Sequence, residues 1–416
     1  MPQAGFSFEW ALEAVFVSVF NALFSPLFWA VILLVALQYR RIAQLRANFL
    51  GARGNSVLVD TLVATGYGLL GGLVGGYLVV FAGVTLSFEG SGLLYLLPVA
   101  VLLMLVNPRL LCFAYAGGLL AACHLLFGFP DISIPQIMAL VAVLHFVESV
   151  LILLSGHLGA VPAFIRLPEG QVVGGFTLQK FWPIPIVALA LVGGTVPPGV
   201  ELVSMPDWWP LIKPEVPGEA STTVFAMLTL VAGLGYADIA TTRTPSDKSR
   251  ISAVYLAGYS VTLFLLALLA GVHGGGYAWA AALFAPLGHE LIIYISKFME
   301  LHGRPLFVPH PAGVMVLDVV MHSPAWRAGL RSGDVILEIS GHPVRSRADL
   351  HLLVSQPGLK EINFLHGKKQ YRRETVSLRP EQLFGVVPVP EGNEQMYLEL
   401  QSTPPLARWL KRSRSI

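Results

Sequence analysis

The chain has 416 residues, of which 12% are charged and 55% hydrophobic, and its mean hydropathy is +0.67. Soluble globular domains carry about 25% charged residues, so the composition excludes one of this size and points to an integral membrane protein. The formal net charge of +2 is uninformative until its distribution is read. Cys112 and Cys123 stand eleven residues apart on one apolar segment, about 16 Å along a helix. That is too far to bridge, and neither belongs to a CxxC pattern.

The first residues, MPQAGFSFEWALEA, contain no Lys or Arg and carry Glu9 and Glu13, which argues against a cleavable signal peptide. Apolar stretches long enough to cross a hydrocarbon core of ~30 Å then recur. The predicted spans lie near 16–38, 61–83, 91–106, 110–128, 134–155, 183–199, 221–240, 251–272 and 276–296. They give a polytopic α-helical membrane domain over residues 1–300 with about nine spans. The span at 91–106 is short and that at 183–199 carries Pro183, Pro185, Pro197 and Pro198, so both are candidates for re-entrant or distorted segments.

Cations fall in alternate connections: Arg40, Arg41, Arg46 and Arg53, then Arg109, then Arg166 and Lys180, then Arg243, Lys248 and Arg250, against only Lys213 in the other set. The positive-inside rule puts the N-terminus outside and everything after residue 297 in the cytoplasm, at the plasma membrane. The external loop with Asp207, Trp208, Trp209, Glu215 and Glu219 reads as an interfacial belt.

Several ionisable residues lie within predicted spans. His145 and Glu148 are three apart near the centre of 134–155, on one helix face. His289 and Glu290, in LGHELIIY, lie toward the cytoplasmic end of the last span; adjacent residues point about 100° apart, so only one of them is expected at a given contact. Asp238 is likewise near a span end. Burying such groups costs about 2.5–3.5 kcal/mol each without a partner, so His145 and Glu148 face the bundle interior. They read as interhelical polar glue, as a site for a small molecule, proton or lipid headgroup, or as metal donors. LGHELIIY begins like the zinc motif HExxH, but the i+4 position is Ile293 where a second imidazole is required. No GxSxG or Ser-His nucleophile pattern is present, and no catalytic residue, metal or cofactor is assigned.

After Lys297 the pattern becomes that of a small α+β domain. Residues 313–320 alternate as a strand, Pro324 starts a short helix ended by Gly329, and 335–339 is a strand. Residues 346–355 form an amphipathic helix capped by Ser346 with Leu350, Leu353 and Val354 on one side, and strands 361–366 and 370–378 pair around Gly367. The run SPAWRAGLRSGDVILEISGHPV resembles the bacterial PDZ signature SPAxxAGLxxGDxIxxIxGxxV, over residues 303–392. That resemblance implies peptide binding by strand addition, with Leu350, His351, Leu353 and Val354 along the groove helix. Leu306, Phe307 and Val308 occupy the expected place of the carboxylate-binding loop without its glycine, whereas Leu383-Phe384-Gly385-Val386 carries the right residue types near the end of the domain. Intramembrane metalloproteases also pair spans with PDZ domains, but there the domain is inserted before a further ligand-bearing helix.

A polytopic region followed by one PDZ domain, with LHFVESVLILLSG (144–156), PLGHELIIY (286–294) and FGVVPVPE (384–391), resembles the MinJ family of cell-division topology proteins. The resemblance implies an adaptor that binds a DivIVA-like pole and septum scaffold and recruits MinD with MinC. The alternative is a degenerate intramembrane metalloprotease or a protease regulator. The connection 40–54 and the basic tail 393–416, ending RWLKRSRSI, read as topology signals or contacts with anionic lipid. The cations are too scattered for nucleic-acid binding.

Overall fold

The computed structural model describes residues 4–5, 8–50, 56–85, 93–192, 203–213, 224–367, 370–394 and 396–399. The apolar half contains helices α1 Phe8–Asn21, α2 Pro26–Leu50, α3 Val57–Ala82, α4 Leu93–Val106, α5 Phe113–Phe127, α6 Ile134–Ser155, α7 Pro245–His273 and α8 Gly275–His302. Between α6 and α7 run the strands β1 Val161–Arg166, β2 Val172–Val192 and β3 Val224–Ala240, besides a two-residue strand Val203–Ser204 that pairs with Ala4–Gly5. Local chemistry sets the helix ends. Ser56 Oγ accepts the Val59 amide at the start of α3, Gly83 ends it in the left-handed region, and Thr244 Oγ accepts the Asp247 amide ahead of Pro245 at the start of α7; these are the residues that supply orphan helix-end groups with partners most cheaply.

Among the described residues five helices are long and apolar enough to cross a membrane: Pro26–Ala47 within α2, then α3, α6, α7 and α8, with α4 and α5 apolar but shorter. This corrects the expectation of about nine helical spans. The first predicted span is broken, α1 ending at Asn21 and α2 starting at Pro26. The segments at 183–199 and 221–240 are strands wherever they are described, β2 and β3 pairing antiparallel from Phe176↔Ala240 to Val192↔Val224.

Proline and glycine explain that outcome. Pro183 and Pro185 would break a helix interior. In β2 they are two apart, so their missing N–H groups fall on one edge, and β1 has left that edge after Thr177; an edge is where a strand tolerates proline. Helix α3 fills the place. A Cβ on Gly68 would lie 2.0 Å from the Pro183 carbonyl oxygen, and one on Gly72 2.2 Å from that of Pro185, so only glycine lets the helix backbone come this close.

Helix α6 is the hub, packing against α3, α5, α7 and α8. At its cytoplasm-predicted end the bundle is tied by polar residues. Glu300 of α8 is fully buried. Its carboxylate accepts the amides of Thr241 at 2.8 Å and Thr242 at 2.9 Å, and pairs with Arg243 at 3.2 Å and Lys248 at 3.7 Å. Lys248 also lies 3.3 Å from Asp238. A buried charge with this many partners is one that would be costly to strand.

The C-terminal unit contains β4 Val314–Val319, α9 Pro324–Arg327, β5 Val335–Ile339, α10 Arg347–Ser355, β6 Gly358–His366, β7 Gln370–Leu378 and β8 Val386–Pro388. Its sheet has the order β7-β6-β5-β4-β8, with residues 342–343 pairing off β5. The expected helices and strands are all present, with starts moved by a few residues. The unit sits on the β1–β3 sheet: the Gly174 amide donates to Phe307 O at 2.9 Å, the Leu306 amide to Thr241 O at 2.8 Å, and Phe176 and Phe307 meet edge to face with centroids 5.3 Å apart. A last strand, β9 Leu398–Glu399, pairs in parallel with β1. Leu398 and Glu399 are therefore held by strand pairing; residue 395 and residues 400–416 lie outside the described set, as do Arg53, Glu215 and Glu219. Of the two tryptophans expected at the interface, Trp208 is exposed, but Trp209 is buried and its Nε1–H donates to Val80 O at 2.7 Å.

Candidate functional site

Two places collect chemistry. The first is the margin between α10 and β8. A capping box opens α10: Ser346 Oγ accepts the Asp349 amide while the Asp349 carboxylate accepts the Ser346 amide. Spacing by three and four then turns Leu350 into the core and leaves Leu353 and Val354 half-buried against the same core that Val386 of β8 packs on, with His351 exposed. Strand β8 ends the sheet, so its outer edge has no strand partner among the described residues. The backbone N–H groups of Arg345 and Ser346, with the Ser346 side chain, hold the Asp349 carboxyl below the ordinary aspartate range.

The loop that enters β8 is Phe384-Gly385. Gly385 has φ +88°, and a Cβ there would lie 2.3 Å from Ser323 Cβ. Its carbonyl accepts the Val320 amide at 2.8 Å and the Phe384 carbonyl accepts the Ala325 amide at 3.0 Å, so the loop is pinned to the start of α9. Leu306, Phe307 and Val308 are elsewhere. Phe307 is 1% exposed in the seam with β2, with Leu306 and Val308 half-buried on either side of it; the glycine that this segment lacks is present in the other one. The chain leaving β8 folds over the start of α10, where Glu391 accepts the Arg347 amide at 2.7 Å and Glu394 pairs with the Arg347 guanidinium at 2.9 Å. Burial pushes the Glu394 carboxyl up, but the Glu391 and Gly392 amides together with Arg347 outweigh it and hold the group below its ordinary value.

The second place is where α5, α6 and α8 meet. His145, mid-way along α6, is 3% exposed. Its Nδ1 lies 2.7 Å from Val141 O; a carbonyl only accepts, so Nδ1 carries the hydrogen. Its Nε2 lies 3.2 Å from Cys112 Sγ, and His289 brings its own Nε2 to 3.9 Å from the same sulfur. His289 Nδ1 is 3.3 Å from the Tyr115 hydroxyl, which donates to Glu290 at 2.7 Å. Glu290 in turn pairs with Arg109 at 2.6 Å. Tyr259 closes the group, its ring edge-on to His145 at 5.4 Å and to His289 at 5.7 Å.

Three expectations change here. Helix α8 runs from Gly275 to His302, so His289 is at its middle and not toward one end. His289 and Glu290 diverge, but Tyr115 reaches both. Glu148 shares a face of α6 with His145, yet its carboxylate is not among the clustered donors. Cys112 and Tyr115 were not singled out in the sequence because nothing local flags them; Cys112 is 33 residues from His145 and 177 from His289.

The PDZ domain family profile matches residues 315–364. The chain is 26% identical over 220 residues to the cell division topological determinant MinJ of Bacillus subtilis, covering 52% of this chain and 51% of MinJ. It is 35% identical over 81 residues to the putative serine protease HhoA of Synechocystis sp., 20% of this chain and 21% of that protein. A probable periplasmic serine endoprotease DegP-like of Ectopseudomonas mendocina is 38% identical over 76 residues, 17% and 16% of the two chains. The solved PDZ domain of the SdrC-like protein from Listeria monocytogenes is 23% identical with a TM-score of 0.17, covering 19% of this chain and 90% of that one. The chain thus spans about half the length of MinJ and about a fifth or less of the proteases, whose likeness is that of one domain. The chain carries a C-terminal PDZ domain and, over half its length, is similar to the cell-division topological determinant MinJ.

Proposed function

We propose that the chain is a membrane-bound adaptor in the spatial control of bacterial cell division, its PDZ domain on the cytoplasmic side. The observation that carries this reading is the extent of the likeness to MinJ. At 220 residues it is far longer than the PDZ domain and so extends into the helical half, whereas the protease matches of 81 and 76 residues do not exceed one domain. The PDZ groove lies between the free edge of β8 and α10, where an extended segment of a partner adds a strand and Leu353, Val354 and His351 select its side chains. By likeness to the MinJ family, the partners are a DivIVA-like scaffold at poles and septa and the MinD/MinC inhibitor. Arg40 and Arg41 are exposed for contact with anionic lipid; Arg46 is spent internally on Ala160 O at 2.7 Å.

The test is complementation of a deletion strain. Wild type is expected to restore division at midcell. Leu353→Asp combined with Val354→Asp, at unchanged protein abundance, is expected to leave the minicells or filaments of the deletion. Normal division in the deletion strain itself would reject the reading.

A further inference from the structure

Cys112, His145 and His289 each offer one ligand atom, and these atoms all lie within 4.8 Å of one another, the two Nε2 atoms standing 3.2 and 3.9 Å from Cys112 Sγ. Their hydrogen bonding leaves an imbalance. Val141 O takes the Nδ1–H of His145. The Tyr115 hydroxyl gives its own hydrogen to the Glu290 carboxylate, which can only accept, and so takes the Nδ1–H of His289. Both imidazoles therefore turn an unprotonated Nε2 toward one sulfur. A single S–H can serve one of those two lone pairs, and the other is left without a donor among these residues.

We propose that these three side chains bind one zinc ion. Tetrahedral zinc with Zn–N of about 2.05 Å and Zn–S of about 2.3 Å places sulfur and nitrogen about 3.6 Å apart; the two observed separations, 3.2 and 3.9 Å, bracket that value. A thiolate with two imidazoles suits zinc and excludes magnesium and calcium, which take oxygen ligands. The outer contacts match as well. Ligating histidines donate their second N–H to a carbonyl or to a carboxylate-linked group, as His145 does to Val141 and His289 does through Tyr115 to Glu290. Cys112 is also the N-cap of the 15-residue α5, its sulfur 3.4 Å from the Ala114 amide, so that amide can donate to a metal-bound thiolate. Binding replaces the S–H bond by an S–Zn bond and releases that proton to solvent. The ion would tie α5, α6 and α8 together, with its fourth position open to water. This proposal is independent of the division reading.

Cobalt(II) added to the full-length, metal-stripped protein in detergent tests it by absorption. One equivalent is expected to give the intense visible bands of tetrahedral cobalt and a near-ultraviolet thiolate-to-cobalt band, both removed by one equivalent of zinc and neither affected by magnesium. Cys112→Ser should lose the thiolate band, Cys123→Ser should keep it, and Tyr115→Phe should weaken zinc affinity by about 10- to 100-fold. If the wild-type protein shows no stoichiometric cobalt bands, or if the thiolate band survives in Cys112→Ser, the site is a set of interhelical hydrogen bonds and the proposal fails.

Discussion

The two halves of this molecule are specified in different ways. In the PDZ unit the pattern of apolar and polar residues does the work: Leu350, Leu353 and Val354 at helical spacing, alternation along 314–319, and glycines at the turns. In the helical half nearly every position is apolar, so pattern is mute, and the fold is decided by the few residues that are not. Gly68 and Gly72 against Pro183 and Pro185, Glu300 against Thr241, Thr242, Arg243 and Lys248, and Cys112 between two histidines each join elements that the apolar background cannot tell apart. The lesson is that single substitutions in the helical half should cost most at its rare polar and glycine positions, while in the PDZ unit they should cost most at the core and the strained turn.

The largest effect is expected at Glu300. Glu300→Ala leaves the Thr241 and Thr242 amides without their acceptor and Lys248 with Asp238 as its remaining carboxylate, and should lower stability by about 3–5 kcal/mol, read as loss of folded protein in detergent thermal melts. A loss below about 1 kcal/mol would show that the cluster is dispensable. Gly72→Leu comes next. Its Cβ meets the Pro185 carbonyl at 2.2 Å, and the α3–β2 seam must open, at a cost of about 1–3 kcal/mol or more. The same melts check it, with Gly66→Ala as the control because a Cβ there meets nothing within 4 Å. Gly385→Ala in the PDZ unit combines a positive φ with a clash on Ser323 and should cost about 1–3 kcal/mol, with peptide binding lost along with the loop.

The smallest effect sharpens the comparison at the seam. Glu394→Gln should cost about 0.5–1 kcal/mol at neutral pH, since its partner Arg347 is partly exposed. The Glu394 carboxyl is held below its ordinary value, so its contribution is full above the unfolded value of about 4.3 and is lost as pH falls through the lower folded value. Wild type and Glu394→Gln should therefore converge as pH falls through that lower folded value, and a gap that widens in acid would contradict the ion pair.

Much of the PDZ unit was legible because half-buried elements show their period. Its groove was only half legible: α10 followed from spacing and Ser346, but Leu306, Phe307 and Val308 were chosen by position, and the glycine that a φ of +88° demands sits at Gly385. In the helical half α6 was placed at 134–155 because its run is apolar all round and long. Strand β2, buried along most of its length, and β3, apolar on both faces though largely half-buried or exposed, read as helices because each gives a continuous apolar run; Pro183 and Pro185, two residues apart, are the signal against a helix. His145 and His289 were recognisable as buried and in need of partners. Cys112 was not, because a cysteine in an apolar run reads as a small hydrophobe, and only the packing of α5 on α8 brings it to the histidines.

The central claim is that the helical half and the PDZ domain together position the protein for control of division. The most direct test is the location in living cells of a fluorescent fusion to the full-length chain, beside one lacking residues 303–416. The full-length fusion is expected to gather at septa and poles, and the truncation to lose either that position or its effect on division. Even distribution of the full-length fusion over the membrane would contradict the claim.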